Sequence, residues 1–271
     1  MSDLIFDLLL YIGKLLALTL GTVVICGFAV HLCARLFARL LGHGSGTLFD
    51  VTSLIGTPVH ELGHAAMCLI FGHKIQRIKL FSLRAENGVY GFVEHSYNRK
   101  NLWARLGNLF IAVGPIFSGL GVTVLTLWLC FPSQWAAYLN SSRVLLLTTE
   151  TVLSDILAEV FSLIVSLPVA FGENWLRALL GLIVILPISL HITLSWQDIK
   201  SGLSAIPMYL FMVVVFALAT YFTGIGAAIV SALWLLNLRT LSLFCIVIAF
   251  SVIWVLIALL IRAVRSITNW F

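Results

Sequence analysis

The chain has 271 residues, of which 61% are hydrophobic and only 10% charged, with a formal net charge of +5. Soluble domains carry roughly 25% charged residues, so composition excludes a soluble globular protein and points to a polytopic membrane protein. The positive balance does not call for nucleic acid, because the basic residues flank apolar segments, where membrane orientation places them.

A membrane-crossing helix needs about 20 predominantly apolar residues. Residues 8–31 supply the first such stretch. Asp3 and Asp7 stand where a cleaved signal peptide would be basic, so this segment is expected to stay as a helix. Residues 49–71 are the second, 106–131 the third and 175–194 the fourth. Residues 206–236 are one long tilted span or two short ones divided near Thr223-Gly224-Ile225-Gly226, and 241–262 are the last. The stretch 144–171 is apolar but carries Glu150, Asp155 and Glu159 near one helical stripe and meets Pro168, which predicts an amphipathic or partly inserted helix.

The expected fold class is an all-α polytopic membrane protein of about six transmembrane helices, seven or eight if the ambiguous stretches also cross. Residues 1–48 would form an N-terminal helix and connector, 49–205 a core, and 206–271 the C-terminal helices. The tryptophans at 103, 135, 175, 196 and 270 suit an interfacial belt. Cys26, Cys33, Cys68, Cys130 and Cys245 lie in or beside apolar stretches without a CxxC pair, and read as buried free thiols.

The sizeable polar insert is 74–105. Ile78, Leu80 and Ser82 alternate with Lys79, Phe81 and Leu83, a second run covers 89–93, and Glu86-Asn87-Gly88 between them carries an Asn-Gly turn signal. The reading is a small β-hairpin, either an idle surface element or one whose edge pairs with an extended segment. Lys74, Arg77, Lys79, Arg84, Arg99, Lys100 and Arg105 outnumber Glu86 and Glu94, which places the insert in the cytoplasm. Arg262 and Arg265 agree with a cytoplasmic C-terminus, whereas Arg35 and Arg39 argue the other way.

The second apolar segment contains His60-Glu61-Leu62-Gly63-His64. Histidines at i and i+4 lie on one helix face, one turn apart, and suit a single zinc ion. Glu61 stands beside them, placed to act on water without being a ligand. Ionisable residues at membrane depth are costly and mark functional sites by default. A catalytic zinc takes three protein ligands, so a third must come from elsewhere. Asp198 is the favoured candidate and His191 the alternative; seven residues apart, the two would share a face if one helix carried both. Asp198 has a competing reading as a helix N-cap, and His191 as a core, interfacial or supporting histidine. His31, His43, His73 and His95 read as solvent-facing rather than as ligands. Gly56 and Pro58 either shape the helix entry or open room for a substrate.

Together these residues resemble the site-2 protease family of intramembrane zinc metalloproteases. The resemblance rests on Thr57-Pro58-Val59 leading into the motif, on Ala65 and Ala66 after it, on the basic hairpin insert, and on Ala112-Val113-Gly114-Pro115-Ile116-Phe117-Ser118, which is similar to the family's Gly-Pro motif. It covers roughly residues 50–205. Family members often carry Asn where this chain has Ser118, and their third ligand is usually the Asp of an Asn-Pro…Asp-Gly signature. This chain has Ser195-Trp196-Gln197-Asp198 there, so Asp198 is assigned by order of elements.

The resemblance implies a zinc metalloendopeptidase that cleaves in or near a transmembrane segment of a membrane-protein substrate. His60, His64 and the third group would hold Zn2+, and Glu61 would be the general base. Asn108 and Ser118 would bind extended substrate backbone or else make helix–helix contacts. The absence of an inserted regulatory domain implies that any regulator is a separate membrane partner. The implied location is a bacterial-type plasma membrane, as a multi-pass protein in contact with the bilayer, with the site nearer the cytoplasmic side. Two other classes compete. One is a non-catalytic scaffold or binding protein that keeps the fold, against which the intact Glu61 argues. The other is a transporter, for which no matched pair of interrupted segments stands out.

Overall fold

A computed structural model of the chain describes residues 2–42, 45–82, 89–147 and 153–268. Helix α1 (Ser2–Leu16) passes through a π-helical turn, Ala17–Gly21, into α2 (Thr22–Leu41). Next come α3 (Ser45–Ile70), strands β1 (Lys74–Lys79) and β2 (Phe92–Ser96), and α4 (Leu102–Cys130). The chain continues through α5 (Pro132–Leu147), α6 (Leu153–Ser166), α7 (Val169–His191), α8 (Trp196–Phe222) and α9 (Gly226–Thr268).

Among the described residues, five helices are long and apolar enough to cross a membrane: Leu4–Leu41, Leu102–Cys130, Val169–His191, Trp196–Phe222 and Gly226–Ser266. The chain is an integral membrane protein, all-α and polytopic, with one small antiparallel sheet. Helix α3 is a sixth by its 26-residue length but not by composition, because His60, Glu61, His64 and its hydroxyl residues dilute the apolar content. Its polar side turns inward: Thr52, Ser53, Glu61 and His64 are buried, while Leu54, Leu62 and Leu69 face out. Membrane-embedded polar groups must find partners inside the protein, and α4, α7 and the sheet cover this face.

Several boundaries depart from the sequence pattern. The first span extends to Leu41, so Arg35 and Arg39 lie within α2 rather than after it. The apolar run 206–236 breaks at Gly224, whose φ of 77° suits glycine. Its second half then fuses with 241–262 into the 43-residue α9. At about 1.5 Å per residue, α9 is about 64 Å long, twice the hydrocarbon thickness. The stretch 144–171 holds the short α6, whose 14 residues cannot span. Glu159 on α6 accepts a hydrogen bond from Ser141 Oγ on α5 at 2.7 Å, and Glu150 lies outside the described residues. Helix α7 is kinked at Asn174 (φ −158°, ψ 95°). There Asn174 Oδ1 accepts from the Arg177 amide at 3.0 Å, which makes Trp175 the start of the straight span.

The packing between α3 and α4 positions the site. Lipid supplies no hydrophobic drive between helices, so close backbone approach and polar contacts decide the association. A Cβ on Gly63 would lie 2.5 Å from the Gly114 carbonyl oxygen, and one on Gly114 would lie 2.6 Å from that of Gly63. The two helices touch backbone to backbone at the motif itself. Ser118 Oγ donates to the Val59 carbonyl across this contact at 2.7 Å, so its hydroxyl is committed to holding helices together. Asn108 is buried farther along α4.

Candidate metal centre

The spacing of His60 and His64 puts both rings on the inward face of α3, with centroids 5.0 Å apart. Each ring is oriented through Nδ1. That of His60 donates to the His191 carbonyl at 3.0 Å, and that of His64 to the Ile111 carbonyl at 2.7 Å. Both Nε2 lone pairs are thereby turned to one point, the arrangement that supporting hydrogen bonds give metal-binding histidines.

Asp198 meets them there. Its Oδ1 lies 3.2 Å from His64 Nε2, and its Oδ2 lies 3.8 Å from His60 Nε2. The three donor atoms lie within 4.8 Å of one another. A tetrahedral zinc with bonds of about 2.0–2.1 Å has donor–donor edges of about 3.3 Å, so the His64–Asp198 edge already matches such an ion and the wider edges would draw together on binding. Two neutral imidazoles and a carboxylate also have the right chemistry for it.

Asp198 is not the N-cap of α8 but its third helical residue, and Ser195 is the cap. Ser195 Oγ accepts from the Asp198 amide at 3.1 Å, while the Ser195 amide donates to Asp198 Oδ2 at 2.8 Å. This reciprocal pair is a capping box. Helix nucleation and aim of the carboxylate are therefore the same interaction.

His191 takes a different place from the one that a shared helix would give it. Helix α7 ends at His191 and α8 begins at Trp196, so the two candidates lie on separate helices. His191 Nδ1 donates to the Pro187 carbonyl at 2.9 Å, and its Nε2 faces Ser53 Oγ at 3.1 Å. Its contribution to the site is the backbone carbonyl that orients His60. Gly56 makes room for it: a Cβ there would lie 2.3 Å from the His191 ring.

Glu61 is 7% exposed and lines, with His60, His64 and Asp198, a cavity of about 810 Å³. The hairpin closes one side of it. Strand pairing joins Lys74 to Ser96 and Lys79 to Phe92, with an irregularity between Ile75 and Arg77. Its expected Asn-Gly turn lies outside the described residues. Rather than standing off the surface, the second limb runs back along α3. Tyr90 hydrogen-bonds Asp50, and Gly91 packs against Thr57 and Glu61. Residues 89–95 thus wall the cavity.

Two of the histidines read as solvent-facing are not. His73 is 4% exposed, and its Nδ1 lies 2.9 Å from His95 Nδ1. Burial, together with the facing His73 ring, holds the His95 imidazole below its ordinary pKa. Cys68, a buried free thiol, stands beside both. The signal that could have pointed to this cluster is the glycine at 72 between Cys68 and His73, which marks a helix end that turns back on itself. Among the described residues, His31 lies on α2, away from both clusters, and His43 is outside them.

Comparison with protein-family models, with curated proteins and with solved structures gave no match to this chain.

Proposed function

We propose that the chain is a zinc-dependent intramembrane endopeptidase of the site-2 protease type. It would hydrolyse a peptide bond in or near a transmembrane segment of a membrane-protein substrate. One observation carries the reading: His60, His64 and Asp198, from two helices far apart in sequence, converge beside a buried Glu61 on one cavity. A purely structural metal site has no need of a further carboxylate beside its donor set.

His60, His64 and Asp198 would hold the ion, their orientation set by the His191 and Ile111 carbonyls and by the Ser195 cap. Zinc there supplies Lewis acidity toward a scissile carbonyl and toward water. Glu61 accepts a proton from the attacking water and delivers it to the leaving amine. The backbone of residues 89–95 offers an edge along which a locally unwound substrate can lie extended. Ser118 is not among the residues that line this cavity, and its hydroxyl donates to the Val59 carbonyl. The basic insert sets the expected orientation, with the site nearer the cytoplasmic side of a bacterial-type plasma membrane.

The test uses the full-length protein, purified in detergent and reconstituted in liposomes with a panel of single-span helices that carry helix-breaking residues. Wild type is expected to bind zinc at this centre and to cleave members of the panel. Glu61→Gln is expected to keep the ion and cleave none, and His64→Ala and Asp198→Ala to lose the ion from this centre. No zinc at the centre in folded wild type would leave His64 and Asp198 as an ion pair, and would favour a non-catalytic scaffold with the same fold.

A further inference from the structure

We infer that Cys68, His73 and His95 form a second metal-ion site, at the foot of the hairpin and separate from the first. Their donor atoms lie within 4.8 Å of one another and come from three different elements. Cys68 is in the last turns of α3, His73 in the turn that follows, and His95 on β2.

The local sequence builds this cluster. Gly72 has a φ of 70°, and the His73 amide donates back to the Cys68 carbonyl at 2.8 Å. This is the six-to-one bond of a Schellman ending. It folds His73 under the helix end, beside a residue five positions earlier. Strand pairing opposes Ile75 and His95 and so brings in the third donor.

The rings are prepared as ligands usually are. His73 Nε2 donates to the Ala104 carbonyl on α4 at 2.7 Å, which leaves the Nδ1 lone pair facing His95 Nδ1. Tyr97 stacks on the His73 ring at 4.6 Å and fixes its plane. Cys68 is 0% exposed, so its sulfur meets the cluster rather than solvent. Two imidazole nitrogens and a thiol suit a borderline-soft divalent ion such as zinc or cobalt, with release of the thiol proton on binding. Three protein donors leave one tetrahedral position for a fourth ligand such as water.

An ion here would tie β2 to the ends of α3 and α4. His95 is also the end of the limb that walls the first cavity, so occupancy would fix the position of that wall. The inference stands whether or not the first centre is catalytic, since the two share no ligand.

The experiment is cobalt(II) titration of the metal-stripped, full-length protein in detergent. A thiolate-to-cobalt charge-transfer band in the near ultraviolet reports only a centre with a sulfur donor, and the first centre has none. The band is expected in wild type and in His64→Ala, and is expected to vanish in Cys68→Ser. In His95→Ala, cobalt should bind more weakly by more than the roughly 10–100-fold that loss of a supporting hydrogen bond causes. Zinc content should be two ions per chain in wild type and one in Cys68→Ser or in His64→Ala. Absence of the band in folded wild type, or its persistence in Cys68→Ser, overturns the inference. If Cys68→Ser does not fold, unchanged cobalt affinity in His95→Ala overturns it instead. A band that survives in His64→Ala while that variant cleaves nothing separates this centre from the first.

Discussion

The Ser195 amide donates to Asp198 Oδ2 at 2.8 Å, so the bond that starts α8 also turns the Asp198 carboxylate toward His60 and His64. Fold and site meet in that one contact. Ser195→Ala removes the reciprocal half of the capping box, Oγ to the Asp198 amide. The expected loss is about 1 kcal/mol of stability, with zinc affinity falling by less than the roughly 10–100-fold that follows loss of a ligand-supporting group, because the Ser195 backbone amide still donates to Asp198 Oδ2. Competition with a chelator measures the second quantity and thermal unfolding the first. A loss of affinity as large as that of Asp198→Ala would show that the backbone amide alone does not hold the carboxylate in place.

At the crossing of α3 and α4, Gly63→Ala places a methyl group 2.5 Å from the Gly114 carbonyl oxygen and from Ser118 Oγ. Neither helix can give way without shifting its backbone. Overpacking of this kind costs about 1–3 kcal/mol, and the displaced α3 carries both histidines with it. Lower thermal stability and lower zinc affinity are expected together. A loss of stability with affinity intact would locate the strain away from the metal centre.

His191 is expected to behave as a positioning residue. Its side chain bonds Pro187 and faces Ser53, whereas its backbone carbonyl is what orients His60. His191→Gln should therefore retain metal stoichiometry with reduced affinity, unlike Asp198→Ala. Loss of the ion from the centre in both variants would give His191 a direct ligand role.

Far from the site, Tyr11 on α1 and Thr220 on α8 share a buried hydrogen bond of 2.8 Å. Interhelical hydrogen bonds in membranes are worth about 0.6 kcal/mol on average, with a maximum near 1.7. Tyr11→Phe should destabilise the fold by about that amount and leave metal content unchanged. Unfolding in mixed detergent, alongside metal analysis, checks both halves.

Metal removal gives a further expectation. A ligand present at about 100 times its Kd stabilises the native state by about 2.7 kcal/mol. Chelation should lower the unfolding temperature of wild type more than that of His64→Ala, which lacks one centre already.

The motif helix was legible because two histidines at i and i+4 depend only on local periodicity. Asp198 was placed by the order of elements alone, and no spacing rule reaches it from α3. Whether one helix carries both His191 and Asp198 is not legible from their seven-residue spacing; the break between them comes from the Ser195 cap and the packing of both helices on α4. The hairpin was visible as alternation, but its course along α3 depends on Gly91 lying against Thr57 and Glu61, a contact between distant segments. The same holds for Cys68, His73 and His95. Each looked ordinary in isolation, and only the turn at Gly72 and the strand register bring them together.

The donors His60 and His64 leave the ribosome with α3, but Asp198 follows only after α4 to α7 have been made and inserted. During biogenesis the chain thus passes through a long interval in which His60, Glu61 and His64 lie in a growing helical assembly without Asp198 to complete the donor set. The proposed three-donor set is complete only once α8 has docked, so full-affinity occupancy of this centre would report that most of the chain has been assembled. A truncated or stalled product ending before α8 would carry the whole His60–His64 motif without its proposed third ligand. If the proposed activity is correct, this order of synthesis keeps an unfinished protease from acting on the membrane in which it is being built.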